Sequence, residues 1–419
     1  MEPKIRFKGF EGEWKKVKFL EIFEFLKNNS LSRAELSSKG DFINIHYGDI
    51  LIKYGDLVNI QNEELTYIRD CRIGQTLYKM CSLQNGDIII ADAAEDYSVG
   101  KCSEIVNIGN NKVVSGLHTI PCRPLITFAQ GYLGHYINSN SYHNQLLPLI
   151  QGSKISSISK KALSQTSVFV PSYEEQQTIA SYFRILDAKL QAYAKKVESL
   201  KKLKSASLVA MFPQQGETTP KVRFKGFEGE WSKEILGNIA KFSKGQGYSK
   251  SDLREDGHPI ILYGRMYTKY QFTINNVDTF AYLKEASVFS EGNEIIMPAS
   301  GETPEDIARA SAVLKKGIIL GGDLNIMHFD LKKHSTPFIA LAITYSNTHY
   351  DLSKCAQGKS VVHLHNEAIS KATITLPSYE EQQAIASFFR TLNRKIALET
   401  ARLEKLKQIK LACLDKMFV

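Results

Sequence analysis

Residues 171–190 read Pro171-Ser-Tyr-Glu-Glu-Gln-Gln-Thr-Ile-Ala-Ser-Tyr-Phe-Arg-Ile-Leu-Asp-Ala-Lys-Leu190. Nearly the same stretch returns as Pro377-Ser-Tyr-Glu-Glu-Gln-Gln-Ala-Ile-Ala-Ser-Phe-Phe-Arg-Thr-Leu-Asn-Arg-Lys-Ile396. In each copy a proline precedes two glutamates, and carboxylates are favoured at the positive end of a helix dipole. Apolar residues then recur at three- and four-residue spacing, which is typical of an amphipathic helix. Each copy therefore predicts the start of a long helix.

The apolar residues of each predicted helix form one stripe. In the first copy it comprises Ile179, Phe183, Leu186, Leu190, Tyr193, Val197, Leu200, Leu203 and Leu208; in the second it comprises Ile385, Phe389, Leu392, Ile396, Leu403, Leu406, Ile409 and Leu414. Spacing that alternates between three and four residues favours a coiled-coil seam. We therefore expect the two helices to form a coiled coil, with lysines such as Lys195, Lys196, Lys201, Lys202 and Lys204 on its solvated outside.

A second repeat marks where each half of the chain begins. Residues 3–14 read Pro3-Lys-Ile-Arg-Phe-Lys-Gly-Phe-Glu-Gly-Glu-Trp14, and residues 220–231 differ from them only in the third position. The two repeats predict a first domain over residues 1–170, a helix over 171–212, a linker over 213–219, a second domain over 220–376 and a second helix over 377–419. Because Pro220 lies just past the first helix and its short linker, a pseudo-two-fold relation predicts that Pro3 lies near Val419.

Short apolar runs separated by glycines predict strands between these repeats. In the first domain they are Phe42–Tyr47, Asp49–Ile52, Asp87–Ala91, Cys102–Val106, Leu117–Ile120 and Thr166–Val170; in the second they are Pro259–Tyr263, Glu294–Met297, Gly317–Leu320 and Leu324–Phe329. Residues 126–149 and 336–345 have a helical pattern. The predicted fold class is α+β: two similar mixed domains joined by two long helices.

Composition narrows the class of protein further. A charged fraction of 23% and an apolar fraction of 43% are ordinary for a globular protein and argue against disorder. The net charge of +9 is shared about equally between the halves, which weakly favours two anion-binding modules. The six cysteines form no Cys-x-x-Cys pair, so buried free thiols in a reducing cytoplasm are expected. No run is long and apolar enough for a membrane span, and we expect no membrane association.

The order and duplication of these parts resemble the specificity subunit of Type I restriction-modification enzymes. The resemblance is carried by Phe-x-Gly-Phe-x-x-x-Trp before each domain, and by a Gln-Gly strand and Pro-x-x-Glu-Glu-Gln-x-x-Ile after it. Tyr47-Gly-Asp-Ile-Leu51 and Gly86-Asp-Ile-Ile89 also resemble motifs of its target-recognition domains. The second domain departs mildly, with Glu294-Ile-Ile-Met297 in place of Asp87-Ile-Ile-Ile90.

The resemblance implies a function without catalysis in this chain. Each variable domain would read one half of a bipartite double-stranded DNA target, and the helices would set the spacer and dock two modification subunits. The two domains would approach DNA as a pseudo-two-fold pair, so the coiled coil of the two helices is expected to be antiparallel. Those partners would use S-adenosylmethionine to methylate adenine N6, and two restriction subunits would use ATP and Mg²⁺ to translocate and cleave DNA in phage defence. We expect no cofactor and no metal site in this chain.

Candidate DNA contacts are basic, amide, hydroxyl and aromatic residues beside glycines, because base edges and phosphates are read by such side chains on loops. In the first domain they are Tyr47, Lys53, Tyr54, Tyr97, Ser98, Lys101, His118 and Lys154; in the second they are Tyr263, Arg265, Tyr267, Lys269, Tyr270, Ser300, Thr303, Arg309, Lys359 and Ser360. Arg265 is the strongest candidate for a bidentate guanine contact.

Two alternatives remain at this point. The first is a self-contained DNA methyltransferase or nuclease with duplicated DNA-binding domains. The sequence counts against it, because it contains no Asn/Asp-Pro-Pro-Tyr/Phe signature, and Gly358-Lys359-Ser360 lacks the first glycine of a phosphate loop. The second alternative is a coiled-coil scaffold that binds no DNA.

Overall fold

The computed structural model describes residues 1–61, 63–152, 154–358 and 361–419 and divides into two compact units. The first unit contains Met1–Ala194 together with Ala401–Val419, and the second contains Lys195–Thr400. Each unit therefore contains one mixed domain, the beginning of one long helix and the end of the other. The long helices are Tyr173–Ala210 and Tyr379–Lys416, so at 1.5 Å rise each is roughly 57 Å long.

The first unit is built on two β-sheets. The five-stranded sheet has the order Phe23–Phe25, Thr119–Pro124, Ile88–Ala91, Cys102–Val106 and Leu57–Asn59, and the four-stranded sheet has the order Lys112–Ser115, Phe42–Ile45, Tyr67–Ile68 and Leu36–Ser37. Two further pairs join Lys15–Lys18 with Ser167–Val170 and Ala93–Ala94 with Ser156–Ser157. Its short α-helices are Phe19–Ile22, Tyr47–Ile52, Cys71–Cys81, Tyr132–Ile137, Asn140–Leu146 and Lys160–Leu163, and its 3-10 turns are Arg33–Glu35 and Leu147–Leu149.

The second unit repeats this strand order with different sequences. Its five-stranded sheet has the order Ala240–Lys244, Leu324–Phe329, Glu294–Pro298, Ser311–Val313 and Thr273–Ile274, and its four-stranded sheet has the order Leu253–Arg254, Phe280–Ala281, His258–Ile261 and Ile319–Leu320. The remaining pairs are Ser232–Ile235 with Thr373–Leu376 and Ser300–Gly301 with Val362–His363. Its helices are Leu236–Ile239, Arg265–Thr268, Pro304–Ile307, Thr336–Tyr345, Asn347–Cys355 and Asn366–Lys371, with a 3-10 turn at Lys250–Asp252.

One predicted strand of the first domain is a helix. Residues 49–52 belong to the α-helix Tyr47–Ile52, in which only Asp49 and Ile50 are buried. The Nδ1 atom of His46 accepts the N–H of Gly48 at 3.2 Å and caps the first turn. A four-residue apolar run does not distinguish a buried strand from one helical turn, so the cap decided the outcome.

The apolar stripes of the long helices are buried where each helix begins and again at Val197, Leu208, Leu403 and Leu414. Ile179, Phe183 and Leu186 join the aromatic core of the first domain, and Ile385 and Phe389 join that of the second. Farther along, Leu203 is 50% exposed and Ile409 is 38% exposed, contrary to the prediction. The stripe is therefore partly a docking face for the domain core, which the periodicity alone does not distinguish from a helix seam.

The helix segments within each unit run antiparallel, as predicted. In the first unit Tyr182 contacts Cys413 through its hydroxyl at 3.4 Å, and Asp187 is hydrogen-bonded to Lys410. In the second unit Lys196 donates to Glu399 at 2.7 Å. Within these contacts, later residues of the first long helix thus pair with earlier residues of the second.

The thiols only partly match the expectation. All six cysteines are free, but Cys71 and Cys355 are exposed, whereas Cys81, Cys102 and Cys122 are buried. In the described part of the chain, every helix is too short or too polar to cross a bilayer.

Candidate nucleic-acid interface

The two sequence repeats form a single structural anchor in each unit. Arg6 donates from Nε and Nη2 to the Glu175 carboxylate, both at 2.8 Å, and Arg223 makes the same fork to Glu381 at 2.6 Å. Both carboxylates are almost fully buried, with 2% and 1% of the side chain exposed. A bidentate guanidinium–carboxylate pair fixes orientation as well as distance. The N-terminal repeat is therefore held against the beginning of the helix.

The glutamine that follows each of these glutamates connects the helix to the domain. Gln176 accepts the N–H of Ala129 at 3.1 Å and donates to the carbonyl of Pro171. Gln382 makes the equivalent bonds to Ser335 and Pro377 at 3.0 Å. Each glutamine side chain thus satisfies backbone groups on two different segments.

The repeat that starts each unit also packs on the end of a long helix. The N–H of Ile5 donates to Lys416 O at 2.9 Å, and the N–H of Val222 donates to Ala210 O at 2.8 Å. The Trp14 ring meets Phe418 edge-on, as Trp231 meets Phe212. The expectation that the N-terminal repeat lies near Val419 is confirmed within the first unit.

The loops beyond this frame carry the polar residues that differ between the domains. In the first domain Tyr47 opens the helix Tyr47–Ile52, and its ring lies edge-on to His118 at 5.2 Å between centroids. The Nδ1 atom of His118 lies 3.1 Å from Asp92 Oδ1. Burial raises the pKa of Asp92, and the neighbouring His118 opposes this rise. Together they form a partly exposed cluster of hydrogen-bonding groups.

An arginine that sequence reasoning missed lies beside this cluster. Arg33 forms a bidentate pair with the buried Asp49 at 2.8 and 3.1 Å, yet its own side chain is 51% exposed. Burial lowers the pKa of His46 to about 4, and the charge of Arg33 adds to this effect. The neutral ring can therefore accept the N–H of Gly48. Arg33 lies in no motif, so only the fold brings it to this position.

The other candidates of the first domain fall into two groups. Lys53, Tyr97 and Lys154 are exposed, with Tyr97 at 78%. Ser98 lies in the same turn as Tyr97, where its N–H donates to Asp96. Tyr54 is only 2% exposed, and Lys101 donates to the carbonyls of Leu51 and Tyr54. As placed, Tyr54 and Lys101 support the loops.

In the second domain Arg265 and Lys269 share one carboxylate. Arg265 Nη1 donates to Asp278 Oδ1 at 2.6 Å, and the ammonium of Lys269 pairs with the other oxygen. Hydrogen bonds from Lys269 and then Arg265 lower the pKa of Asp278. Tyr263 is 38% exposed beside this pair. Arg265 must therefore exchange its aspartate partner before it can form the predicted bidentate contact with guanine.

Most remaining candidates of the second domain have internal partners. Tyr267 and Tyr270 donate to the carbonyls of Ser300 and Ala310, and the Ser300 hydroxyl lies 3.3 Å from His363 Nδ1. Thr303 caps the helix Pro304–Ile307, and Arg309 pairs with Asp306 at 2.5 Å. Lys359 and Ser360 lie outside the described residues. The role of the whole candidate set in DNA contact stays a prediction.

Each domain has a cavity at the same place in its four-stranded sheet. The first, about 460 Å³, is lined by Arg33, Leu36, Lys53, Thr66 and neighbouring residues. The second, about 590 Å³, is lined by the equivalent Lys250, Leu253, Lys269 and Thr279, together with Tyr263 and Asp323. Basic side chains border both cavities.

The structure also brings together one group with metal-ligand chemistry, in the first unit. Asp56, His135 and Asp187 each offer an atom within 4.8 Å of the others. The ammonium of Lys410 already lies among them, 2.6 Å from Asp56 Oδ2 and hydrogen-bonded to Asp187. Because Lys410 supplies the compensating charge, this group is an ion-pair cluster, which we call the Lys410 cluster.

The geometry defines a class of protein with two divergent recognition domains held in a duplicated helical frame. A family model described as the Type I restriction modification DNA specificity domain matches residues 11–202 and again 228–408. The chain therefore belongs to this family. It is a specificity subunit of a Type I restriction-modification system with two DNA recognition domains, and the family assigns it DNA specificity and not catalysis. The resemblance inferred from the sequence is thus confirmed.

Solved structures agree at the level of the fold. The S subunit of a Type I restriction-modification system from M. genitalium is 14% identical, with a TM-score of 0.60 over 100% of this chain and 99% of that chain. A second chain comes from a study of complex assembly and conformational transition of the type I R-M system. It is 15% identical, with a TM-score of 0.53 over 97% of this chain and 98% of that one. No curated protein matches the sequence significantly.

Proposed function

We propose that each recognition domain reads one half of a bipartite duplex target and that the long helices set the spacer and dock two modification subunits. The observation that carries this proposal is the contrast within each unit. The arginine–glutamate anchor is the same in both, whereas the loops carry Arg33, Tyr47 and His118 in one domain and Tyr263, Asp323 and the mostly buried Arg265 in the other. A constant frame with different readers fits a target made of two different half-sites.

The catalytic steps belong, in this proposal, to the partner subunits in the cytoplasm. The modification subunits bind S-adenosylmethionine and methylate adenine N6, and two restriction subunits supply ATP- and Mg²⁺-dependent translocation and cleavage. The chain itself binds no cofactor. Its contribution is the free energy difference between cognate and non-cognate DNA.

Methylation mapping tests the proposal directly. Genomic DNA from cells that express this chain with its modification subunits is sequenced for N6-methyladenine, and cells without this chain serve as the control. We expect a gapped motif that appears only with the chain. A continuous motif, or none in the presence of an assembled complex, would contradict the proposal.

The spacer tests the role of the helices. Residue pairs such as Lys196 with Glu399 show which positions lie opposite each other. Four residues inserted after Glu198, together with four after Ala397, add about one turn, or roughly 6 Å, to both helices. We expect the spacer to lengthen by one or two base pairs, since DNA rises about 3.4 Å per pair.

The matched control is the same insertion in the linker at residues 213–219, which lies outside the helices. It should leave the spacer unchanged. An unchanged spacer in the double-helix insertion would show that the helices do not set it.

A further inference from the structure

The two recognition domains share one strained turn. In the first it joins Lys112–Ser115 to Thr119–Pro124, and in the second it joins Ile319–Leu320 to Leu324–Phe329. The N–H of Gly116 donates to Ile45 O, and the N–H of Gly321 donates to Ile261 O, both at 2.9 Å. The carbonyls of His118 and Asp323 then accept from Asp92 N and Ala299 N at 3.1 and 2.8 Å. His118 and Asp323 therefore occupy equivalent positions.

Both residues adopt the left-handed backbone conformation. The φ angle is +53° at His118 and +57° at Asp323, and only four non-glycine residues of the described chain have positive φ. Glycine adopts this conformation without a steric cost, whereas a side chain there is strained. Backbone strain concentrates at functional sites, where the surrounding structure holds it in place. Each turn accepts this strain and presents an exposed polar side chain.

The surroundings of the two side chains favour nucleic acid. His118 lies against the Tyr47 ring, and Asp323 lines the same cavity as Tyr263, Lys250 and the Arg265–Asp278 ion pair. The phosphates of DNA repel a carboxylate. An exposed aspartate beside DNA therefore contributes favourably to binding only where it accepts a hydrogen bond from a donor. In the major groove the donors are the amino groups of cytosine N4 and adenine N6.

We infer that His118 and Asp323 are base-reading residues at equivalent positions, and that Asp323 selects an amino-bearing base, cytosine or adenine, in the half-site of the second domain. This inference rests on the proposed function, in which each domain reads one half-site. At the same turn His118 offers an imidazole whose Nδ1 is held by Asp92, so its Nε2 edge meets a base. The two half-sites therefore differ in the contact made at this position.

The test uses the full chain in its complex with the modification subunits, and its readout is the methylation map. Asp323→Asn keeps the shape and the tolerance for positive φ but adds donors, and Asp323→Gly removes the side chain and relieves the strain. We expect both variants to lose discrimination at one position of one half-site by about fivefold to 150-fold, the range of one good base contact. His118→Ala should act on the other half-site only.

Matched controls separate base reading from backbone strain. Asn293 has φ +69° and Asn107 has φ +57°, but Asn293 lies at the opposite end of the strand Glu294–Pro298 from Ala299, the residue bonded to Asp323. Asn107 follows Cys102–Val106, at the end of the sheet away from His118. Asn293→Gly and Asn107→Gly relieve the same strain and should leave both half-sites unchanged.

The outcomes are distinct. Relaxed preference at a cytosine or adenine position of one half-site in both Asp323 variants supports the inference, and the map shows which of the two bases is read. An unchanged motif, or a uniform loss of methylation at all sites, overturns it. A wild-type complex that yields no gapped motif contradicts the proposed function instead, so the two failures are separable.

Discussion

The two units solve the same packing problem with different chemistry. In the first, the Lys410 cluster joins Asp56 and His135 of the domain to Asp187 and Lys410 of the helices. The equivalent positions of the second unit are Phe272, Leu341, Asn393 and Lys204. Phe272 and Leu341 are buried in its apolar core. One unit thus holds its domain on the helices with buried charge, and the other does so with apolar contact.

The comparison extends to the lysine that both units retain. Burial tends to lower the pKa of Lys410, but Asp56 and Asp187 outweigh it and the pKa is raised. Lys204 is partly buried, contrary to the prediction of a solvated position. Burial alone lowers the pKa of Lys204, and no carboxylate pairs with it among the contacts described. The charged form of the lysine is therefore stabilised in the first unit and destabilised in the second. A repeated residue thus does not make the same contribution to the stability of both units.

Replacement of each of the two lysines should give the largest difference in stability between the units. Lys410→Met leaves the partly buried Asp56 and Asp187 without their cation, and we expect a loss on the order of 3 kcal/mol in the first unit. Lys204→Met removes a desolvated charge and should be neutral or slightly stabilising in the second. Hydrogen exchange of amides in Ile88–Ala91 and Glu294–Pro298 reports each unit separately. Equal losses in the two variants would contradict this account.

A second pair of acids sharpens the comparison. Asp87 forms a bidentate pair with Arg123 at 2.7 and 2.9 Å, whereas both oxygens of the equivalent Glu294 have no hydrogen-bond partner among the described residues. Burial raises the pKa of Glu294 to about 7, although nearby peptide groups partly offset it. We expect Asp87→Asn to destabilise the first unit by about 2 kcal/mol, because Arg123 loses its charge-assisted hydrogen bonds.

Replacement of Glu294 should change the free energy of unfolding in the opposite direction to replacement of Asp87, and the size of the change depends on pH. Its folded-state pKa lies above the unfolded value of about 4.3, so the proton it binds stabilises the fold at low pH, and this contribution is lost between about pH 4 and pH 7. Glu294→Gln should therefore stabilise the second unit by roughly 1–3 kcal/mol at pH 8 and have little effect at pH 4. Hydrogen exchange of Glu294–Pro298 at both pH values checks this. A stabilisation by Glu294→Gln that is larger at pH 4 than at pH 8 would contradict this prediction.

The smallest expected effect concerns the arginine–glutamate anchors, which should contribute equally to the stability of the two units. Arg6→Lys and Arg223→Lys each keep the charge but lose the fork, and we expect a loss of about 1 kcal/mol in the corresponding unit. The two losses should be equal, because the two anchors have the same partners and nearly the same exposure. A clear difference between them, measured by the same exchange experiment, would show that the repeated frame is not equivalent in the two units.

The sequence by itself determined the duplicated frame. The repeats at Pro3 and Pro220, and at Pro171 and Pro377, predicted two units, two long helices and the family. These signals are local: capping residues, helix periodicity and near-identical strings. They were read correctly because helix formation depends mainly on neighbours three and four residues apart.

Only the tertiary structure decided which side chains meet. The Arg6–Glu175 pair spans 169 residues, Lys410 lies among residues from three other segments, and Arg33 reaches the cluster of Tyr47 and His118 with no sequence signal. The candidate Tyr54 belongs to the core, while Asp323, in an ordinary Gly-Gly-Asp string, lines the second cavity. Ion pairs and loop exposure depend on long-range packing and desolvation, which residue spacing along the chain does not encode.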